Sequence, residues 1–403
     1  MRLNRLNRRI LFRCALLACL FASTSAAGPG RILAGVSDAG PDATISLILR
    51  DIREAKLDDA LARTENLLKL YPNFRLAHLI RGDLLLARTA PLKGFGNTAQ
   101  SPEGKLGDLR DEALVRIQGY ATRPQADQIP RYLLQMPDEQ KHAVVVDTKR
   151  SRLYLYRNDN GRPTFVADFY ITQGKDGANK TREGDKRTPV GVYHVTSFLP
   201  PAKLTDFYGA GAFPINYPNE WDQRNGRNGH GIWLHGVPAD TYSRPPKASD
   251  GCVVLANEDL QTLANYVQVG RTPVIISTDV EWLSLDDWKA ERQALNREIE
   301  SWRKDWESLD TERYLSHYAA DFRSGSGDLR EWATTKRRVA AGKSWIKLGL
   351  RELSMFRNPG QQEIVVVSFE QDYRSNNLNS VSQKRQYWMK EAGQWKIIYE
   401  GNA

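Results

Sequence analysis

The sequence predicts a multidomain α+β protein, with a helical N-terminal region, a mostly β central domain and a C-terminal α+β cone. Three observations predict it. Apolar residues recur every three or four positions up to about Arg88. Runs of β-branched and aromatic residues begin after Lys141, and the last third passes from helical spacing to four strand-like runs. The 403 residues suffice for two or three domains with cores of their own. Hydrophobic residues make up 41% and charged residues 26%, as in an ordinary soluble globular protein. No later stretch is apolar for long enough to span a bilayer, so at most a peripheral association with membrane is expected.

The N-terminus, "MRLNRLNRRILFRCALLACLFASTSAAGPG", carries Arg2, Arg5, Arg8 and Arg9, a short apolar run broken by Arg13, and then small residues. That order predicts a cleaved secretory signal over 1–27, with cutting after Ala27 and a periplasmic mature protein. Leu16-Leu17-Ala18-Cys19 loosely fits a lipid-attachment box. The run before Cys19 is short and contains Arg13, so ordinary cleavage is the stronger expectation. Removing five arginines and no acid lowers the formal charge from +9 to +4. No concentrated basic face with interleaved aromatics remains, and nucleic acid is not an expected partner. Cys14 and Cys19 also go, leaving Cys252 as the one cysteine of the mature chain. In an oxidising compartment a lone thiol is either buried and inert or reactive and used.

Residues 28–138 form the helical region. A Gly-, Ala- and Asp-rich lead precedes helices from Thr44 to about Arg88, broken at Tyr71-Pro72-Asn73, and "DDALARTENLLKLYPN" has the spacing of a tetratricopeptide-type hairpin. "DLRDEALVRIQGYA" reads as a further helix and "TRPQADQIPRY" as a connector. Residues 139–280 carry the strands "HAVVVDTKRSRLYLY", "TPVGVYHVTSF", "HGIWLHGV" and "TPVIISTDV" among long loops. One helix follows Cys252, with Asn257 as its expected N-cap and Glu258 and Asp259 in its first turn. In residues 281–403, "LDDWKAERQALNREIESWRKDWESLDTERYLSHYAADF" reads as helical throughout. From Ile346 onward four strands are expected, which makes the cone; Trp302, Trp306, Tyr314 and Tyr318 are expected in its core.

Cys252 needs a neighbour to become a nucleophile, because a free thiol has a pKa of about 8.5. His230 and His235 are the histidines near it in sequence. His235 ends the apolar run "GIWLHG" beside Gly236, where a sheet fixes a side chain at a cleft. Gly251 lets the chain turn tightly and bring N–H groups near the sulfur as oxyanion donors. Read from the residues alone, this supports a Cys–His acyl-transfer pair, against the plainer reading of Cys252 as a small core residue. A zinc site on His230, His235 and Cys252 lacks a carboxylate or second cysteine at usual spacing, so neither metal nor other cofactor is expected.

"WLHGVPADTYSRPPKASDGCVVLANEDL" resembles the signature of the L,D-transpeptidase catalytic domain (the YkuD type). A His-Gly is followed, fourteen residues from His235 to Ser249, by Ser249-Asp250-Gly251-Cys252. "GDKRTPVGVYHV" is similar to the family's Thr-Pro-x-Gly strand and "VVVDTKRSRLYLY" to its opening hairpin. The resemblance spans about 140 residues. It implies action on peptidoglycan stem peptides, with Cys252 as nucleophile and His235 as general base. The Gly236 carbonyl would orient the imidazole, the Gly251 and Cys252 amides would hold the oxyanion, and Ser249 would brace the loop. The sulfur would attack the carbonyl of the L-centre at stem position three and expel D-alanine. An amine acceptor then gives a crosslink, and water a trimmed peptide.

One departure stands out. Most members carry Arg two residues after the cysteine, and this chain has Val254. Another cation must then meet a substrate carboxylate; Arg182, Arg187, Arg224, Arg227 and Arg244 are candidates, with Arg244, Arg187 and Arg227 foremost. The domain order resembles the cell-shape L,D-carboxypeptidase subgroup, whose last domain is nuclear transport factor 2-like. That resemblance implies dimer formation through the N-terminal region and puts hydrolysis beside transfer. A hydrolase that releases wall-anchored protein and a non-catalytic wall-binding scaffold are the competing readings.

Overall fold

Three helices open the described chain. The computed structural model describes residues 40–92, 94–97, 103–125, 127–325 and 327–403. The expected signal, with Cys14 and Cys19, lies outside the described residues. The chain divides into two compact units, Met1–Leu106 and Gly107–Ala403. In the first, α1 (Pro41–Arg53), α2 (Leu57–Leu70) and α3 (Arg75–Leu86) pack in sequence order. Each buries one stripe: Ile45 and Ile48, then Ala60, Leu61 and Leu67, then Leu76, Ala77 and Ile80. The Tyr71–Phe74 break separates α2 from α3 where Pro72 was expected to end the helix.

In the second unit the centre is a five-stranded sheet. β3 (His142–Asp147), β4 (Arg152–Asp159) and β5 (Arg162–Tyr170) form an antiparallel meander. β12 (Pro273–Ser277) lies parallel to β3, and β7 (Gly191–His194) antiparallel to β12 on the far edge. β3 and β12 are covered on both faces of the sheet, which is why their sequences run as continuous aliphatics, Val144 to Val146 and Val274 to Ile276, all buried. Burying each such side chain is worth roughly 1.5–3 kcal/mol. A smaller sheet orders β11 (Val253–Val254), β9 (Trp233–His235) and β8 (Ala212–Pro214), and β10 (Lys247–Ser249) pairs with β6 (Gln173–Gly174). Before this domain runs α4 (Glu103–Ala121). From Gly107 on, it docks on the sheet where Gly119 leaves room for the Arg152 side chain; a Cβ there would lie 2.8 Å from Arg152 Cδ.

The cone is built from α7 (Leu285–Glu307), α8 (Thr311–Leu315), α9 (Leu329–Ala341) and a curved sheet. The four long strands are β16 (Ile346–Asn358), β17 (Ile364–Ser375), β18 (Asn379–Glu391) and β19 (Gln394–Asn402), as the sequence predicts. Bulges between Arg351 and Ser354 and between Tyr387 and Trp388 bend them. Trp302, Trp388, Tyr314 and Phe322 are fully buried within.

Four details differ from the sequence reading. "YAADF", read as helix, is β14 (Tyr318–Ser324), because pairing with β19 overrides its local preference. α9 was not foreseen; Asp328 and Glu331 close a capping box at its start. The connector holds β1 (Ile129–Pro130) and β2 (Leu133–Gln135), of which β1 pairs with β13 (Trp282–Leu283) and β2 adds an edge strand to the cone sheet. Finally, the helix after Cys252, α6 (Asn257–Ala264), has Ala256 at the cap position, so Asn257 is its first residue and not its N-cap. The other helix of the central domain is the short α5 (Glu220–Arg224).

Candidate active site

β9 and β11 run parallel with His235 opposite Val254, and the Leu255 N–H donates to the His235 carbonyl at 2.9 Å. Two residues upstream of Val254, Cys252 stands one diagonal step from His235, level with Trp233, whose backbone N–H points to the sulfur. The sheet thus brings together the two residues that the sequence singled out. His235 is 1% exposed; Cys252 keeps part of its surface open.

The turn leading to the cysteine is tightly specified. Ser249 Oγ donates to the Cys252 carbonyl at 2.6 Å and accepts from the Gly251 N–H at 3.1 Å, closing the loop from within. Gly251 has a φ of 126°, and a Cβ there would lie 2.7 Å from the Arg187 carbonyl, so glycine is required on both counts. The Gly251 amide therefore serves Ser249. At rest this bond engages one of the two amides expected to hold an oxyanion.

His235 Nδ1 donates to the Gly236 carbonyl at 2.7 Å, which assigns the proton to Nδ1 and leaves Nε2 as the acceptor. Burial pushes the imidazole down to about 4; the Gly236 bond opposes that and the Arg244 charge adds to it. Burial likewise pushes the Cys252 thiol up to about 11, against the Trp233 N–H and the charges of Arg244 and Lys180, with Asp250 reinforcing the rise. Both shifts favour uncharged groups. The thiol donates to the Gly231 carbonyl at 3.3 Å. At rest both groups are thus held in their neutral forms.

Arg244 is the arginine among the candidates whose charge is felt at this chemistry. It acts electrostatically on both Cys252 and His235, and its guanidinium lies 4.4 Å from the Phe207 ring centroid and donates to the Phe207 carbonyl at 3.3 Å. Among the described residues it makes no ion pair. Its backbone is held from below: the Arg244 carbonyl accepts from Tyr170 OH at 2.8 Å and Thr172 Oγ1 at 3.0 Å, and Ser243 Oγ donates to Glu112 of α4 at 2.7 Å.

The other candidates are otherwise engaged. Arg227, expected to bind substrate, pairs with buried Asp222 at 3.0 Å, where its charge offsets a carboxylate of the fold. Arg187 turns its guanidinium to the Ala178 carbonyl at 3.1 Å. Arg224 reaches Asp321 at 3.0 Å in the cone. His230 is exposed and faces Glu183 at 3.6 Å. Sequence reasoning missed Phe207 and Tyr208, whose ring centroids lie 5.9 and 5.1 Å from that of His235. They come from a distant loop, and only the Gly209 and Gly211 punctuation hinted at a constrained turn there.

Family comparisons meet this geometry directly. The L,D-transpeptidase catalytic domain matches residues 141–276, and the Cds6 C-terminal NTF2-like domain matches residues 294–401. Bd1075 of Bdellovibrio bacteriovorus, a solved structure, is 30% identical with a TM-score of 0.62, covering 69% of this chain and 98% of its own. The chain belongs to the L,D-transpeptidase catalytic-domain family, in the branch with a C-terminal nuclear transport factor 2-like domain. It is also similar to the helical cell shape determining protein Pgp2 of Campylobacter jejuni, at 25% identity and a TM-score of 0.57 over 67% of this chain and 95% of that one. Comparison with curated proteins gives no match. The L,D-transpeptidase family acts on peptidoglycan, and the central domain is of that enzyme type.

Proposed function

We propose that this chain is a periplasmic cysteine enzyme that cleaves the L,D bond of peptidoglycan stem peptides through an acyl-enzyme on Cys252, working as L,D-carboxypeptidase, L,D-transpeptidase or both. The observation that carries this reading is the β9–β11 register, which sets a partly buried thiol one diagonal step from an imidazole whose acceptor nitrogen is Nε2. The mechanism follows from the neutral resting pair. As the sulfur attacks the carbonyl of the L-centre, the thiol proton passes to His235 Nε2 and the carbonyl oxygen takes up negative charge at the Cys252 N–H. The C–N bond breaks, the imidazolium returns its proton to the departing amine of D-alanine, and a thioester remains. Water or the amine of a second stem then attacks the thioester, giving up its proton to His235; the C–S bond breaks, and the imidazolium returns that proton to the Cys252 sulfur.

Arg244 supports a substrate with a free carboxylate beside the scissile bond, in the part that Val254 leaves unfilled. A half-buried guanidinium that pairs with no acid among the described residues is stabilised by such a ligand. Similarity to a cell-shape determining protein supports a role in cell shape. The test is the purified mature chain with disaccharide tetrapeptide, read by mass. Loss of D-alanine marks hydrolysis and a dimer marks transfer. Cys252→Ala is expected to abolish both, and Arg244→Gln to raise KM about 10- to 100-fold. Full turnover by Cys252→Ala would sink the assignment and return the chain to the wall-binding scaffold. Release of wall-anchored protein from sacculi, with no trimming of tetrapeptide, would favour the second hydrolase.

A further inference from the structure

Asn257 begins α6, yet its side chain is turned away from its own helix. Oδ1 accepts from the Ala210 N–H at 2.9 Å and the Val237 N–H at 3.1 Å, and Nδ2 donates to the Val237 carbonyl at 2.9 Å. Gly209 and Gly236 make the space for it, since a Cβ on either would collide with Asn257 Oδ1. The carboxamide therefore ties together the loop of Phe207 and Tyr208, the loop that follows His235, and the helix that follows Cys252.

One of these bonds has a particular chemical meaning. The Val237 N–H and the Gly236 carbonyl belong to the same peptide group. That carbonyl accepts His235 Nδ1–H at 2.7 Å, while the N–H of the same group donates to Asn257. An acceptor on the N–H side polarises an amide and strengthens its oxygen as an acceptor. The chain of contacts runs from Asn257 Oδ1 through one peptide group to the imidazole, whose Nε2 is the base in the mechanism proposed above.

We propose that Asn257 is a positioning residue of the reaction, which sets the orientation of His235 and the strength of its Nδ1 hydrogen bond through the Gly236–Val237 peptide group. The proposal rests on the reading of Cys252 and His235 given above. Other charged groups also act here: Arg244 on the imidazole, from the loop before β10, and Asp250, Arg244 and Lys180 on the thiol. Asn257 acts with no charge of its own, through hydrogen-bond polarisation alone.

Two variants of the full chain test it. Asn257→Asp keeps the Oδ1 acceptor and makes it anionic, at the first position of a helix, where an acid is favourable; it gives up the Nδ2 bond to the Val237 carbonyl, and its thermal midpoint reads that cost. Asn257→Ser withdraws the acceptor from reach. The readouts are an NMR titration of His235, steady-state hydrolysis of tetrapeptide, and the thermal midpoint of each variant. Asn257→Asp is expected to move the His235 titration up by about one pH unit, and Asn257→Ser to move it down. Asn257→Ser is further expected to lower kcat about tenfold with KM unchanged. Opposite shifts of one imidazole by two substitutions at a residue that never touches it are not an outcome of simple destabilisation. Unchanged titrations in both variants, with wild-type turnover intact, would overturn the proposal alone. A wild-type chain with neither turnover nor a carbapenem adduct on Cys252 would overturn the underlying reading, and the proposal with it.

Discussion

Cys252 and His235 each lie in a site that favours their uncharged forms, and the consequence is a measurable pH dependence. Burial holds the thiol up at about 11 and the imidazole down at about 4, so proton transfer accompanies attack and does not precede it. Alkylation of Cys252 by iodoacetamide should quicken about tenfold per pH unit from 6 to 9 with no plateau. A plateau near neutrality would mean that a thiolate–imidazolium pair exists after all. The sign for stability follows from the same shift. His235 binds fewer protons folded than unfolded, so its contribution is present above its ordinary 6.5 and lost as pH falls through about 4. At this scale the sequence singled out Cys252 and His235, which the register of β9 and β11 sets one diagonal step apart. It did not show their charge state, because desolvation depends on what packs around them: Phe207 and Tyr208 come from a loop almost thirty residues before His235.

Among the elements, the loop after β6 supports the cysteine turn from behind. Asp185 accepts from Lys180 Nζ at 2.8 Å and from the Thr181, Arg182 and Arg187 N–H groups, and the Arg187 carbonyl lies under Gly251. Burial alone would raise the Asp185 carboxyl, yet these donors hold it at about 2. Asp185→Ala leaves the buried Lys180 ammonium without its partner and should cost about 3 kcal/mol. The expected result is a lower thermal midpoint together with slower acylation of Cys252 by a carbapenem; a variant unchanged in both would show the loop to be dispensable. Long elements with a strong period were legible in the sequence: β3, β12, α7 and the four cone strands. Short ones were not. β1 and β2 span two and three residues, too few for any alternation to show, and β14 owes its extended form to β19.

Across the second unit, one apolar core runs through both the central domain and the cone. Tyr132, Leu133 and Met136 lie in it with Val145 and Tyr156 of the central sheet and Phe356, Val366 and Tyr387 of the cone. β2 is hydrogen-bonded into the cone sheet, and Trp288 Nε1 donates to the Leu133 carbonyl at 2.7 Å. On the other flank Arg385 pairs with Glu220 at 2.8 Å and Tyr387 lies against Trp221. Residues 107–403 should therefore unfold in one cooperative transition, although two family domains match within them. Leu133→Asp should lower that transition by about 3 kcal/mol or more, with tryptophan fluorescence and Cys252 reactivity changing together. Two separated transitions in the wild-type chain would show instead that the domains are independent.

What the amino-acid order determined by itself was local or ordered along the chain: the three-part architecture, the alternation of strands, and the His-Gly and Ser-Asp-Gly-Cys signatures. Those features survive in sequence because each depends on neighbours a few residues away or on a motif read as text. The tertiary structure alone decided which arginine acts on the thiol, why the Gly251 amide is engaged, and how Asn257 reaches His235 through a peptide group. Each of these is a contact between segments far apart in the chain, set by the packing of strands and loops, and packing leaves no period behind to read.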